Sequence, residues 1–402
     1  DREPAYFAEV QNFDMSKLPE PTDYNQVLRQ LISSPNIASK EWIYRQYDHM
    51  VGLNTVVLPG AADAAVLRLK EVKPKGLALT TDCNSRFCYL DPFRGGALAV
   101  AEAARNLSCT GAQPLAVTDC LNYGNPEKPE IFWQMRQSIM GMSAACRALD
   151  TPVVGGNVSL YNENRGRAIY PTPVVGMVGL LNNVERHCTQ GFKEEGDVVL
   201  LLGPWPDEIG GSEYLSVVHG LETGPVPWLD LNLERAVQQV CRDLIQQGLV
   251  ESAHDLSEGG LAVALAECCI SGGIGADIGL DLYNAAVWTA ARETEPELGI
   301  EEAEFKRLAA PADPVRMTDR KRGDVVLFGE GPSRIVISVK QERLDTVQQF
   351  VRAAGVPLSV LGVVGGTHLK IWGPQDEPIN LAVAELTRCW EEAIPKWLNQ
   401  KS

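Results

Sequence analysis

Histidine is scarce in this chain, five among 402 residues. None stands at metal-ligand spacing from a cysteine, which excludes the common zinc-site patterns. Ten cysteines occur without a single Cys-x-x-Cys. They sit mostly in apolar contexts such as Cys146, Cys268 and Cys269, the pattern of reduced thiols in a cytoplasmic protein. Positive charge is also in deficit: 36 Lys and Arg against 52 Asp and Glu leave a net charge of -16. That argues against a nucleic-acid partner held by bulk electrostatics. It leaves room for phosphate ligands, which backbone amides and metal ions hold locally. No apolar run reaches the roughly eighteen residues of a membrane span, and the opening DREPAYFAEV lacks the basic-then-apolar order of a signal peptide.

What is present is ordinary globular composition, 45% hydrophobic and 22% charged, at a length that predicts two or more domains. The most informative stretch is Thr151–Asn162, TPVVGGNVSLYN. It reads as a buried strand through Val153 and Val154 that breaks at Gly155-Gly156, where a backbone can turn or approach a ligand closely. In extended chain, Asn157 and Ser159 share a face. Two readings stand: a polar pair placed for a nucleotide, a metal-bound phosphate or a polar substrate, or a Gly-Gly turn with two solvated side chains.

Around this stretch the chain reads as follows. Residues 1–50 are a linker with lead-in helices at Tyr24–Ser33 and Glu41–Met50. A first domain spans 51–185. It has strands near 55–58, 64–69, 76–81, 114–118 and 173–181, a small-residue helix after Pro92 that implies close packing, and an amphipathic helix over 130–149. Asp119 falls just past a strand end, which suits magnesium-nucleotide or ribose contacts and equally suits a turn or N-cap. A second domain spans 190–373, with strands at 198–203, 325–328, 335–339, 359–364 and 368–372 and a helix over 231–247. Residues 284–322 read as an insertion, and 374–402 as a C-terminal helix from Leu381. Asp255 and Glu258 flank a helix start. There, carboxylates cap amides or hold a cation, or act as turn-former and dipole complement. The fold class is α+β with mixed α/β character.

Seven blocks then carry a resemblance: TTDCNSR (80–86), YLDP (89–92), VAEAARN (100–106), LNYGNPEKPEIFWQ (121–134), GGNVSLYNE (155–163), IYPTPVVGMVGL (169–180) and SAHDLSEGGLAVALAE (252–267). In order and correctly spaced, they resemble the C-terminal half of the phosphoribosylformylglycinamidine synthase family, within the aminoimidazole ribonucleotide synthetase-like superfamily. The resemblance implies a PurM/PurL-like half: an N-terminal, ATP-binding, dimer-type domain followed by a C-terminal α/β domain.

The same resemblance implies an amide ligase of purine biosynthesis. It uses ATP and Mg²⁺ to activate the amide oxygen of formylglycinamide ribonucleotide as an iminophosphate, which ammonia from a glutaminase subunit displaces. Carried over by motif, Asp119 and Gly156 are ATP contacts, Asn157 is a Mg²⁺ ligand and Ser159 contacts the ribonucleotide. Partners implied are the other half of the synthase, a small PurS-type subunit and a PurQ-type glutaminase, with pairing of two copies of this chain where that half is missing. The segment Asp82–Arg86 lacks the histidine-rich catalytic motif that the first half carries there, so this half is expected to be inactive alone, with no catalytic residue of its own. Glu330–Arg334 likewise keeps only the terminal Glu and Arg of a substrate loop. A pseudo-site around Asp63, Asp82 and Asp255 is expected to hold a structural ADP, as the family's large enzymes do. The readings set against this are another superfamily enzyme (aminoimidazole ribonucleotide synthetase, thiamine-phosphate kinase, selenophosphate synthetase) and a nucleotide-stabilised scaffold without catalysis.

Overall fold

Six strands build the first sheet of the computed structural model, which describes residues 1–280, 322–372 and 379–399. They are β1 (Thr55–Val57), β2 (Ala65–Arg68), β3 (Gly76–Asp82), β4 (Gln113–Asn122), β5 (Val153–Ser159) and β6 (Thr172–Leu181), in the order β1-β2-β3-β6-β4-β5. Neighbours are antiparallel except β4 and β5. That parallel pair needs a crossover, supplied by the helix Pro129–Leu149.

The helix Pro92–Cys109 starts where Asp91 accepts the amide of Arg94 and proline occupies the first turn, a favoured N-terminus. Its glycines let it touch the Pro129–Leu149 helix backbone to backbone. A Cβ on Gly96 would lie 2.2 Å from the Ser138 carbonyl oxygen, and one on Gly141 would lie 1.8 Å from that of Phe93. Its alanine face meets the sheet, joining Ala97, Val100, Ala101 and Ala104 to Val117, Val175 and Met177 in one core. The small-residue spacing thus serves helix–helix as well as helix–sheet contact.

The second sheet holds β7 (Val198–Leu202), β8 (Ser252–Asp255), β9 (Ala276–Gly279), β10 (Ile335–Val339), β11 (Leu358–Val364), β12 (His368–Trp372) and β13 (Ile379–Ala382), in the order β8-β10-β7-β11-β9-β12-β13. Every residue of β7, β8 and β10 is buried. Helix Leu231–Gln246 closes the seam between the domains: Gln238 donates to the Ala101 carbonyl (3.1 Å), Arg242 to Ser108 Oγ (2.7 Å) and Gln246 to the Gly111 carbonyl (3.0 Å).

Five sequence readings change. The helix expected over Glu41–Met50 ends at Tyr44. The stretch at Val153 is not a buried strand broken at the glycines. It is an exposed edge strand running through them to Ser159, with Val153, Val154 and Val158 at 48%, 72% and 58% exposure. An uncharged Val pair reads as core only when both flanks of the strand are occupied, and here one flank is open. Asp119 lies inside β4 rather than past its end. Residues 325–328 form part of the helix Gly323–Phe328, since a short apolar run buried all round has no periodicity to separate helix from strand. The final helix begins at Val383, after β13 has taken Leu381 and Ala382. The expected insertion lies outside the described residues, Arg322 excepted.

The first fifty residues are packed down. Val27, Leu28, Leu31 and Ile32 of helix Tyr24–Ile32 join the second domain's core, while residues 1–11 lie on the first domain through Arg2–Glu130 and Gln11 to the Leu90 carbonyl.

Candidate functional site

Two sets of polar groups stand out. The first is on the open edge. Register places Asp119 beside Gly156, Cys120 beside Asn157 and Asn122 beside Ser159. A Cβ at Gly156 would sit 2.1 Å from Asp119 Oδ1 and 2.6 Å from the Asp119 carbonyl oxygen. Glycine is required because the carboxylate of the neighbouring strand lies across it. Burial raises the pKa of Asp119 above the ordinary carboxylate range. Strand alternation puts Asn157 and Ser159 on one face, opposite to that of Gly156. Ser159 is held: Asn162 Nδ2 donates to its carbonyl (2.9 Å) and its Oγ (3.1 Å), and to the Tyr123 carbonyl (3.2 Å). Asn157 is exposed and makes no side-chain hydrogen bond among the described residues. The structure thus brings all four sequence-predicted residues onto two adjacent strands.

A Gly156→Ala substitution should therefore cost about 1–3 kcal/mol. The cost should fall when Asp119→Ala is added, because the nearest obstructing atom is then gone. Urea unfolding of the two single variants and the double variant checks this; equal costs in both backgrounds would place the strain elsewhere.

The second set lies in the seam between the domains. Arg105, 2% exposed, pairs with Glu234 Oε1 at 2.9 Å and Asp255 Oδ2 at 3.3 Å. Asn106 donates to Asp82 (3.0 Å) and Asn84 to Glu258 (3.3 Å). His254 Nδ1 lies 2.5 Å from Asp63 and its Nε2 3.1 Å from Glu267, while the Asp255 amide donates to Asp63 Oδ2 (2.9 Å). Asp63, His254 and Asp255 offer ligand atoms within 4.8 Å of one another. A small cavity of about 10 Å³, room for about one water molecule, lies here, lined by Asn84, Glu102, Arg105, Glu258 and Glu330 among others. Glu330 Oε1 takes the amides of Glu213 and Gly259, each at 2.7 Å, whereas its buried Oε2 has no partner among the described residues.

Electrostatics follow from burial. Desolvation, then neighbouring carboxylates, hold Asp82 and Glu102 well above the ordinary range. Desolvation, opposed by Arg105, takes Asp255 to about 7, and desolvation with Glu258 takes Glu330 to about 8. For His254, burial opposes the charged form, but the Asp63 carboxylate and the bonds to Asp63 and Glu267 prevail and raise it.

The predicted trio of Asp63, Asp82 and Asp255 does share this seam, with Asp82 on Asn106 rather than in the Asp63–His254 pair. Sequence reasoning missed Glu102, Arg105 and Glu234. The signal was there: a Glu and an Arg three apart inside an otherwise small, apolar helix are unsolvated charges needing partners.

Comparison with known proteins identifies both domains. The family described as AIR synthase related protein, N-terminal domain, matches residues 61–181, and its C-terminal domain counterpart matches residues 194–372. The chain belongs to the AIR synthase-related family, with both domains of that family present. Within it, the chain is similar to phosphoribosylformylglycinamidine synthase subunit PurL. It is 49% identical over 391 residues to that of Alkaliphilus metalliredigens, covering 97% of this chain and 48% of the relative. Against Moorella thermoacetica the figures are 51% over 394 residues, 98% and 48%. The chain thus spans about half the length of these curated relatives. Among solved structures, T. maritima PurL complexed with FGAR superposes with a TM-score of 0.67 at 17% identity, over 93% of this chain and 55% of that one. PurLQS from T. maritima gives 0.59 at 16%, over 84% and 47%. At such identity these two show the shared fold. No helix among the described residues is long and apolar enough to cross a membrane.

Proposed function

We propose that this chain supplies the second half of a phosphoribosylformylglycinamidine synthase, and that its β4–β5 edge is one wall of the site where formylglycinamide ribonucleotide is amidated. The observation that carries this is the unfinished edge: Asp119, Gly156, Asn157 and Ser159 stand on two adjacent strands, the outer of which has no strand neighbour on its far flank among the described residues and exposes its valines. An edge strand of that kind calls for a covering partner, here the other half of the synthase or a second copy of the chain.

The residues present fit a magnesium nucleotide. Asn157 offers an uncommitted amide oxygen, a donor type that Mg²⁺ accepts, on the face it shares with Ser159, while Asp119 presents its carboxylate on the other face beside Gly156. When bound, the ion would neutralise phosphate charge and polarise the transferring phosphoryl group. Asn157 would hold the ion and Ser159 Oγ, fixed by Asn162, would donate to the ribonucleotide on their shared face, while Asp119 and the close backbone at Gly156 would contact the nucleotide from the other side of the edge. The other half supplies acid–base groups for attack of ammonia on the iminophosphate, and PurS- and PurQ-type subunits deliver that ammonia in the cytoplasm. Solved structures of T. maritima PurL include complexes with FGAR, ADP and ATP and a PurLQS assembly, which supports the reading.

As closed here the seam has no room for a nucleotide; a structural ADP would need the seam to open and divalent cations between its phosphates and the carboxylates of Asp63, Asp82 and Asp255, since these would repel a bare nucleotide. The scaffold reading of this second site is favoured by its internal pairing. Asn106, Asn84 and Arg105 already donate to Asp82, Glu258 and Asp255.

The test is reconstitution. The chain is mixed with the N-terminal half of the Moorella thermoacetica relative and assayed for ADP release with formylglycinamide ribonucleotide, ATP, Mg²⁺ and ammonium. Activity is expected from the mixture and from neither half alone, and Asn157→Ala should lower kcat/KM about 100-fold or more. Turnover by the isolated chain, or an unaffected Asn157→Ala mixture, would overturn the assignment.

A further inference from the structure

Three tyrosines from separate parts of the chain stack face to face. Tyr6 of the N-terminal arm lies 4.4 Å from Tyr89, interplanar angle 10°, and Tyr89 lies 4.4 Å from Tyr170, at 15°. Hydroxyls lock both ends. Tyr6 Oη donates to the Tyr89 carbonyl (3.1 Å) and accepts from Gln134 (2.6 Å). Tyr170 Oη donates to Glu222 Oε2 (2.5 Å), on the second domain. The arm is held there too: the Val10 carbonyl accepts the Gly224 amide (2.8 Å) and Thr223 Oγ1 (2.9 Å).

Tyr170 is also the end of a short path to the candidate site. Its neighbour Ile169 donates its amide to the Asn162 carbonyl (3.1 Å). Asn162 in turn holds Ser159 at both the carbonyl and Oγ. The outer hairpin between Asn162 and Ile169 is mostly exposed; among the described residues its other side-chain contacts include Glu163 on Lys128 and the Asn125 amide, and half-buried Ala168 against Gly124. Such a segment has little burial to order it, so a stack at its base carries weight out of proportion to its area.

We propose that the N-terminal arm positions Ser159: Tyr6, through Tyr89 and Tyr170, fixes residues 162–170 and with them the Asn162 contact that orients the serine. Tyr6 is on this view a positioning residue more than 150 positions away in sequence. Its function rests on the reading that Ser159 faces substrate. Its physical content does not, because the coupling is measured without any ligand.

The experiment is hydrogen–deuterium exchange of the chain as it stands, comparing Tyr6→Ala and Tyr6→Leu with the parent. Tyr6→Phe is included because it keeps the ring and loses the hydroxyl. Exchange over residues 160–172 should accelerate about tenfold in the Ala and Leu variants, with β7 and β10 unchanged and Tyr6→Phe near the parent. Acceleration confined to residues 1–12 and 85–92 would overturn the proposal. So would uniform acceleration across both domains in the Ala and Leu variants, since that describes a residue that merely stabilises the fold. If the exchange result holds while Asn157→Ala leaves the reconstituted enzyme unaffected, the coupling stands and the assigned chemistry falls.

Discussion

Arg105→Met is expected to destabilise the chain by about 3–5 kcal/mol. The side chain is 2% exposed, and its two partners are as deeply buried: Glu234 at 0% and Asp255 at 3%. Removing the guanidinium leaves two carboxylates facing a low-dielectric seam with their compensating charge gone. The loss is then the penalty of stranding them rather than the worth of a bond. Ser333 Oγ and Gln238 still donate to Glu234 at 2.6 and 2.8 Å, so Asp255 is the group left worse off. The loss should consequently shrink in acid, where Asp255 takes up a proton and needs no partner. Urea unfolding at two pH values measures both statements. A loss below about 1 kcal/mol, the value of an exposed pair, would falsify the claim that the seam is pinned electrostatically.

The second large effect is a pH profile of unusual sign. Asp82, Glu102, Asp255, Glu258 and Glu330 are all raised, first by burial. A carboxyl whose folded pKa exceeds its unfolded value binds more protons in the folded state across that interval. Its stabilisation is complete below the unfolded value near 4 and disappears as pH rises through the folded value. With Asp255 at about 7 and Glu330 at about 8, stability should fall between pH 6 and 8 by roughly 2–4 kcal/mol. His254, also raised, works in the same direction. Glu213 works the other way. Burial would raise it, but bonds from Arg86, Asn36 and Ser34 lower it, so its contribution is lost only as pH falls through the ordinary carboxylate range. The expected curve therefore peaks in mild acid. A urea midpoint that is flat or rising from pH 6 to 8 would show that the seam carboxylates are charged and compensated by something else. If magnesium with ADP occupies the seam, adding both at pH 8 should restore most of the loss, because cations then do what protons do at pH 6.

The two sites differ in how far they could be read from sequence. Part of the edge was legible: the alternation of Asn157 and Ser159 was, whereas the place of Asp119 inside its strand and the unbroken run through Gly155 and Gly156 were not. Asn157 and Ser159 alternate on a strand, and Gly156 beside Asp119 is a local steric requirement once two strands are parallel neighbours. Its exposure was not legible, since Val153 and Val154 look the same in a covered strand and in one awaiting a partner. In the seam, Asp63 and Asp255 could be named but their arrangement could not. Asp63 meets His254 across 191 positions and Arg105 meets Glu234 across 129. No periodicity encodes such pairings, which exist only once two domains close on each other.

By itself the sequence determined what is short-ranged: the small-residue helix after Pro92, the alternation of Asn157 and Ser159, and the family to which the ordered motifs belong. These rest on backbone geometry and side-chain volume within a few residues. The tertiary structure alone decided what depends on exclusion of water. It chose which strand lies at an open edge, which carboxylates lose their solvent and are driven to hold protons, and which distant tyrosines stack. Burial is a property of the assembled domains, and the same Asp or Val is cheap or costly according to what folds over it.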